Sequence, residues 1–144
     1  MQVNFKEGEQ LFSDRMKQQG YAVEDVSKNP EYWDKDIDFI VTSPTSGLTK
    51  TFEVKWDSRI HKTENLYLEL SSIYSKGGRG WFEFCKADYL AYGDAVSRVF
   101  YIIPLLELKK QVKRVGGGKL ARCNDESTGL LVNINDISSI VEIL

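Results

Sequence analysis

Three acidic residues and one lysine stand at spacings that let two neighbouring strands present them together. In Thr51-Phe52-Glu53-Val54-Lys55-Trp56, polar and apolar residues alternate. A strand here puts Thr51, Glu53 and Lys55 on one face and Phe52, Val54 and Trp56 on the core face. Just upstream, Asp36, Asp38 and Ile40 share one parity, and Ile37, Phe39 and Val41 the other. Ser43-Pro44-Thr45-Ser46-Gly47 between the two runs is turn chemistry, so they read as a hairpin. Bringing the apolar faces together gathers Asp36, Asp38, Glu53 and Lys55 on one surface. Carboxylates crowded this way repel one another by ~1 kcal/mol or more per close pair. Lysine supplies one positive charge, and a divalent cation held by oxygens supplies the rest. The plainer reading is a surface ladder of cross-strand ion pairs, each worth about 0.2–1 kcal/mol.

Residues 3 to 19 read as a helix, with Phe5, Phe12 and Met16 recurring along one face and Gly20 as a stop. With Phe5 at the origin of the wheel, Phe12 and Met16 fall within about 20° of it. Glu9 falls at about 40°, inside the apolar stripe, whereas Glu7 falls at about 200°, in solvent. An inward carboxylate is costly unless it is paired or metal-bound, which makes Glu9 the odd residue of this helix.

With Glu9 on a helix, Asp38 on a following strand and Glu53-Val54-Lys55 on the next, the chain resembles the PD-(D/E)XK nuclease superfamily. Fourteen residues separate Asp38 from Glu53, a usual gap for that hairpin. Ile37 stands where the superfamily's named pattern has proline. The likeness covers residues 5 to about 56 well and the later helix–strand pair to about residue 103 loosely. It implies an α/β fold with a restriction-endonuclease-like core, a mixed central β-sheet flanked by helices in the order αβββαβ. It implies catalytic residues Asp38, Glu53, Lys55 and Glu9. Asp38, Glu53 and the carbonyl of Val54 would hold Mg²⁺, with Mn²⁺ as a substitute, and Glu9 would complete the shell. Lys55 would orient the attacking water. Asp36 competes with Asp38 for the metal role; Asp38 is preferred because Phe39-Ile40-Val41 follows it directly. The implied activity is a metal-dependent DNA endonuclease, structure-directed rather than specific for a long site. Small superfamily members include homodimeric junction resolvases, and the tail-free form looks like a phage or mobile-element product. The alternative is a non-catalytic nucleic-acid-binding or interaction domain that keeps the fold.

The rest of the chain sets the frame. It has 144 residues, 42 % hydrophobic and 28 % charged, with a formal charge of −2. That is the balance of an ordinary globular chain, expected to form a single domain over residues 1–144. Two distant cysteines, a lone histidine, and no long apolar run or apolar leader exclude cystine frameworks, zinc fingers, membrane spans and a signal peptide, so a cytoplasmic setting is expected. Charge is uneven: residues 24–38 carry a net −4 and residues 107–122 a net +5. An acidic cluster apart from a basic one suits DNA handled through metal ions. Lys109, Lys110 and Lys113 are the expected phosphate contacts, with Lys76 and Arg79 in the glycine-rich loop beside them. Gly116-Gly117-Gly118-Lys119 lacks the Ser or Thr of a phosphate loop. Strands are expected near 21–26, 65–73, 98–103 and 129–134, and helices over 87–95 and from Pro104 to about Arg114. The aromatic residues Trp81, Phe82, Phe84, Tyr89 and Tyr92 are expected in the core, and His61 on the surface.

Overall fold

A computed structural model describes residues 3–72, 78–114, 119–123 and 126–144. Helix α1 spans Phe5–Gln18, with the Asn4 side chain accepting the Lys6 N–H at 3.1 Å as its N-cap. It buries Gly8, Phe12, Ser13 and Met16. Gly8 allows close approach: a Cβ there would stand 2.6 Å from the Trp56 ring. Any larger residue would push the helix off the sheet. The chain then forms an antiparallel meander of β1 (Ala22–Asp25), β2 (Phe39–Thr42) and β3 (Thr49–Asp57). Between β1 and β2, Asn29-Pro30 opens a 3₁₀ turn over Pro30–Lys35 that ends on Asp36 in the left-handed region, φ 54°.

After β3 come α2 (Ile60–Thr63), β4 (Asn65–Ser72) and α3 (Trp81–Phe84). The chain returns as β5 (Tyr89–Asp94), parallel to β3 with Glu53 opposite Leu90 and Lys55 opposite Tyr92. β6 (Val99–Pro104) pairs antiparallel with β5, and α4 (Leu105–Arg114) follows. β7 (Lys119–Cys123) and β8 (Ser127–Asn133) join β4 in a second, three-stranded sheet. A 3₁₀ segment, Ile134–Ile140, leads to β9 (Glu142–Ile143) on the edge of the main sheet, whose order is β1-β2-β3-β5-β6-β9. The architecture is α/β, a mixed multi-strand sheet flanked by helices.

Both faces of the main sheet are covered. On one, Phe12 and Met16 of α1 pack on Phe39, Val41, Phe52, Val54, Trp56, Ala91 and Phe100. On the other, Leu90, Tyr92 and Ile103 meet Leu66 and Leu68 of the small sheet, Trp81 and Phe82 of α3, and Leu105, Leu108 and Val112 of α4. Tyr92 joins the sheets: its hydroxyl donates to Asp57 at 2.8 Å and accepts the Tyr67 N–H at 3.0 Å. No helix among the described residues is long and apolar enough to cross a membrane.

One expectation needs correction. Residues 87–95 are not a helix; residues 89–94 are β5, a central strand buried on both sides. A continuous apolar run of that length lacks the alternation that marks a half-buried strand. The strand expected near residues 65–73 forms over residues 65–72, in the second sheet. The Lys76 loop and Gly116-Gly117-Gly118 lie outside the described residues.

Candidate active site

Asp38 sits just before β2 and is locked by three bonds. Its N–H donates to the Phe52 carbonyl at 2.9 Å, and its own carbonyl accepts the Val26 N–H at 2.8 Å. Its carboxylate accepts the Val54 N–H at 2.9 Å. The side chain therefore leans across β3 beside Glu53. Glu53 and Lys55, two apart on β3, point to the face that carries Leu90 and Tyr92 on β5. Strand alternation places the polar residues together, but not in solvent: α3 and α4 close that face, and Glu53 is only 3 % exposed.

The Lys55 ammonium lies 3.0 Å from Glu53 Oε1 and 3.9 Å from Asp36 Oδ2. It also stands 4.7 Å above the Trp81 ring, a cation–π contact that holds the ammonium from the α3 side. Glu53 Oε2 and Asp36 Oδ2 are buried without a hydrogen-bond partner. One lysine against three carboxylates leaves two negative charges uncompensated when all are ionised. The titration directions follow. Burial, reinforced by Asp36 and Asp38 and opposed by Lys55, holds Glu53 well above its ordinary range. Burial also raises Asp36 and Asp38, with Lys55 opposing both and the Val54 N–H opposing the shift at Asp38. For Lys55 burial works against the charge, but Glu53 and Asp36 outweigh it and keep the ammonium protonated.

Glu9, on α1, lies close enough for the charges of Asp38 and Lys55 to act on it. Burial first, then the charges of Asp38 and Asp25, push it up to about 7. Glu7 is exposed and pairs with Arg98. Replacing Glu9 with Gln is therefore expected to lower any activity of the site by at least ~10-fold, while Glu7→Gln leaves it unchanged. Equal rates for the two variants in one cleavage assay would remove Glu9 from the site.

Among the described residues, no three His, Cys, Asp or Glu side chains are drawn together as a finished metal site. The donor set nevertheless suits a hard cation: carboxylate oxygens, two of them buried without a hydrogen bond, beside too little positive charge. Asp36 belongs to the set as much as Asp38 does, since it shares Lys55 and raises Glu53. Val54 enters through its N–H.

Two further residues shape the site. Trp81, read from sequence as core, is core and is also the aromatic partner of Lys55. Cys85, a buried free thiol, donates to the Asp36 carbonyl at 3.4 Å, and the Lys86 N–H donates to the Lys35 carbonyl at 2.8 Å. Together they pin the left-handed turn that aims Asp36. Burial pushes the Cys85 thiol up to about 12, so it acts as a wedge and a weak donor rather than a nucleophile. Nothing in the local sequence links Cys85 to Asp36; only the fold brings them together.

The expected phosphate contacts are dispersed. Lys109 leans over the Phe82 ring at 5.8 Å, beside α3, while Lys110 pairs with Glu107 at 3.3 Å and Lys113 is exposed. Arg79 is exposed and bridges to Ser71. His61 is half exposed, its Nδ1 lying 3.1 Å from Asp94. The chain matches no family model, no curated protein and no solved structure.

Proposed function

We propose that this chain is a Mg²⁺-dependent DNA endonuclease built on a restriction-endonuclease-like core. The observation that carries the reading is Glu53, a carboxylate 3 % exposed, with one oxygen unpartnered and two aspartates beside it. A surface ion-pair ladder would leave these groups in water, where crowding costs little. Buried like charges are destabilising, and such arrangements cluster where chemistry needs them. The run of α1, the three-stranded meander, α3 and a strand parallel to β3 supports the αβββαβ core.

Asp36, Asp38 and Glu53, with the Val54 carbonyl, are the residues that would hold the cation. When bound, Mg²⁺, for which Mn²⁺ can substitute, supplies Lewis acidity and neutralises charge at the scissile phosphate. Lys55, held between Glu53 and Trp81, orients the attacking water and offsets the negative charge that grows on the phosphoryl oxygens. Glu9, near neutrality in its titration, takes up the proton that water loses. Water adds to phosphorus, the bond to the leaving oxygen breaks, and that oxygen gains a proton.

The test is a panel of supercoiled plasmid, single strand, flap and four-way junction, each incubated with Mg²⁺. Cutting is expected, with branched substrates cut at least ~10-fold faster than linear duplex, since a branch point is already bent and unstacked. Tight binding to the panel without cutting would instead favour a non-catalytic binding domain.

A further inference from the structure

A groove of about 300 Å³ runs between α1 and the end of β1, lined by Lys6, Glu9, Gln10, Ser13 and Lys17 on one wall and by Asp25, Ser27 and Lys28 on the other. The α1 residues recur at i, i+3, i+4, i+7 and i+11, a polar stripe beside the apolar one that Phe12 and Met16 bury. Lys6, Lys17 and Lys28 are exposed, and none of them is in an ion pair with another described residue. On the far wall Asp25 accepts both the N–H and the hydroxyl of Ser27, the latter at 2.6 Å, and the three lysines outnumber the two carboxylates, Glu9 and Asp25, that share the groove. Glu9 and Phe39, the latter next in sequence to Asp38, also line the groove.

We propose that this groove binds the phosphodiester backbone of one nucleic-acid strand as it leaves the carboxylate site. The inference rests on the nuclease reading for the direction of the strand, and on the three lysines for the ligand's chemistry. Lys6 and Lys17 stand about 16 Å apart along the helix axis, the rise of about five nucleotides of one strand. A compact anion would use one end of that span; a chain of phosphates uses all of it. Gln10, Ser13 and Ser27 add neutral polar groups between the cations. This path lies on the α1 side of the sheet, whereas Lys109, Lys110 and Lys113 lie on α4, which packs on the other face.

The experiment is fluorescence anisotropy of a labelled single-stranded 12-mer in EDTA, as DNA and as RNA, over a range of salt. The proteins are the full chain, the triple variant Lys6→Ala/Lys17→Ala/Lys28→Ala, and Lys62→Ala from α2 as a control. The triple variant is expected to bind at least ~10-fold more weakly and to flatten the log–log salt slope by about 2, at about 0.7 per phosphate lost from a single strand. The control should match the full chain. Equal loss for DNA and RNA supports a backbone site; loss for one alone also supports it and names the sugar. Unchanged affinity and slope in the triple variant would overturn the proposal, as would poly-glutamate competing as well as the oligonucleotide. Cleavage is measured separately with Mg²⁺. Weakened binding in the variant, with no cutting by any sample, would keep the groove and reject the nuclease. Cutting by the full chain with unaltered binding by the variant would do the reverse.

Discussion

Glu53→Gln is expected to give a protein that is more stable than the natural chain and has no nuclease activity. The substitution keeps the shape and an oxygen for Lys55 to donate to, at 3.0 Å in the natural site, but removes a buried carboxyl, crowded by Asp36 and Asp38, that the folded state cannot ionise as readily as the unfolded chain does. Relief of that crowding should be worth on the order of 1 kcal/mol, within the range of stabilising changes at functional sites. For a chain of this size that raises Tm by roughly 2–4 °C, readable by calorimetry. Cleavage should fall by about 10²–10³-fold or more, because an amide is a poor ligand for a hard cation and carries no charge. A variant that loses stability along with activity would show that Glu53 is structural. A variant that keeps its rate would show that it is idle.

The second large effect is a dependence of metal-free stability on pH, opposite to that of proteins held by salt-bridged carboxylates. Glu53, Asp36 and Asp38 are all raised above ordinary values of 4.5, 3.8 and 3.8. Below those values both folded and unfolded chains hold the protons, and no penalty applies. As pH rises, the unfolded chain releases protons that the folded one retains, so the folded state loses stability. Glu9, at about 7, extends that loss through neutrality. Asp94 works the other way. Burial would raise it, but N–H bonds from Ser97 and Val96 and contact with His61 win and lower it, so its contribution disappears as pH falls through its folded value. In EDTA, Tm should therefore peak at mildly acidic pH and decline toward pH ~8. Added Mg²⁺ should raise Tm most at the alkaline end, where the carboxylates are free to bind it. A Tm that climbs steadily from pH ~5 to ~8 in EDTA would contradict the assigned shifts.

What the sequence made legible follows from what alternation can report. The hairpin from Asp36 to Trp56 could be read because Phe52, Val54 and Trp56 mark one face without interruption, and the register of Phe39 opposite Phe52 follows from that pairing. The inward tilt of Glu9 could be read from the phase of Phe5, Phe12 and Met16, although Phe5 itself is largely exposed. The second cover of the sheet could not. Strand alternation says which face is apolar, not that α3 and the small sheet will close over the polar one. The buried state of Glu53 depends on that closure, as do the contacts of Trp81 and Cys85. β5 does not show as a strand in the sequence, because a strand packed on both sides loses the period that would identify it. Asp36 and Asp38 share one parity, and the apolar run after Asp38 does not report the left-handed turn that brings Asp36 to Lys55 as well.

The most direct test is nicking of supercoiled plasmid by the natural chain and by Asp38→Asn, each in Mg²⁺ and in excess EDTA. The account predicts relaxed and linear DNA only for the natural chain with Mg²⁺, with Asp38→Asn folded by circular dichroism and at least ~10²-fold slower. Equal cutting by both proteins, cutting that survives EDTA, or no cutting by the natural chain with either Mg²⁺ or Mn²⁺ would contradict it.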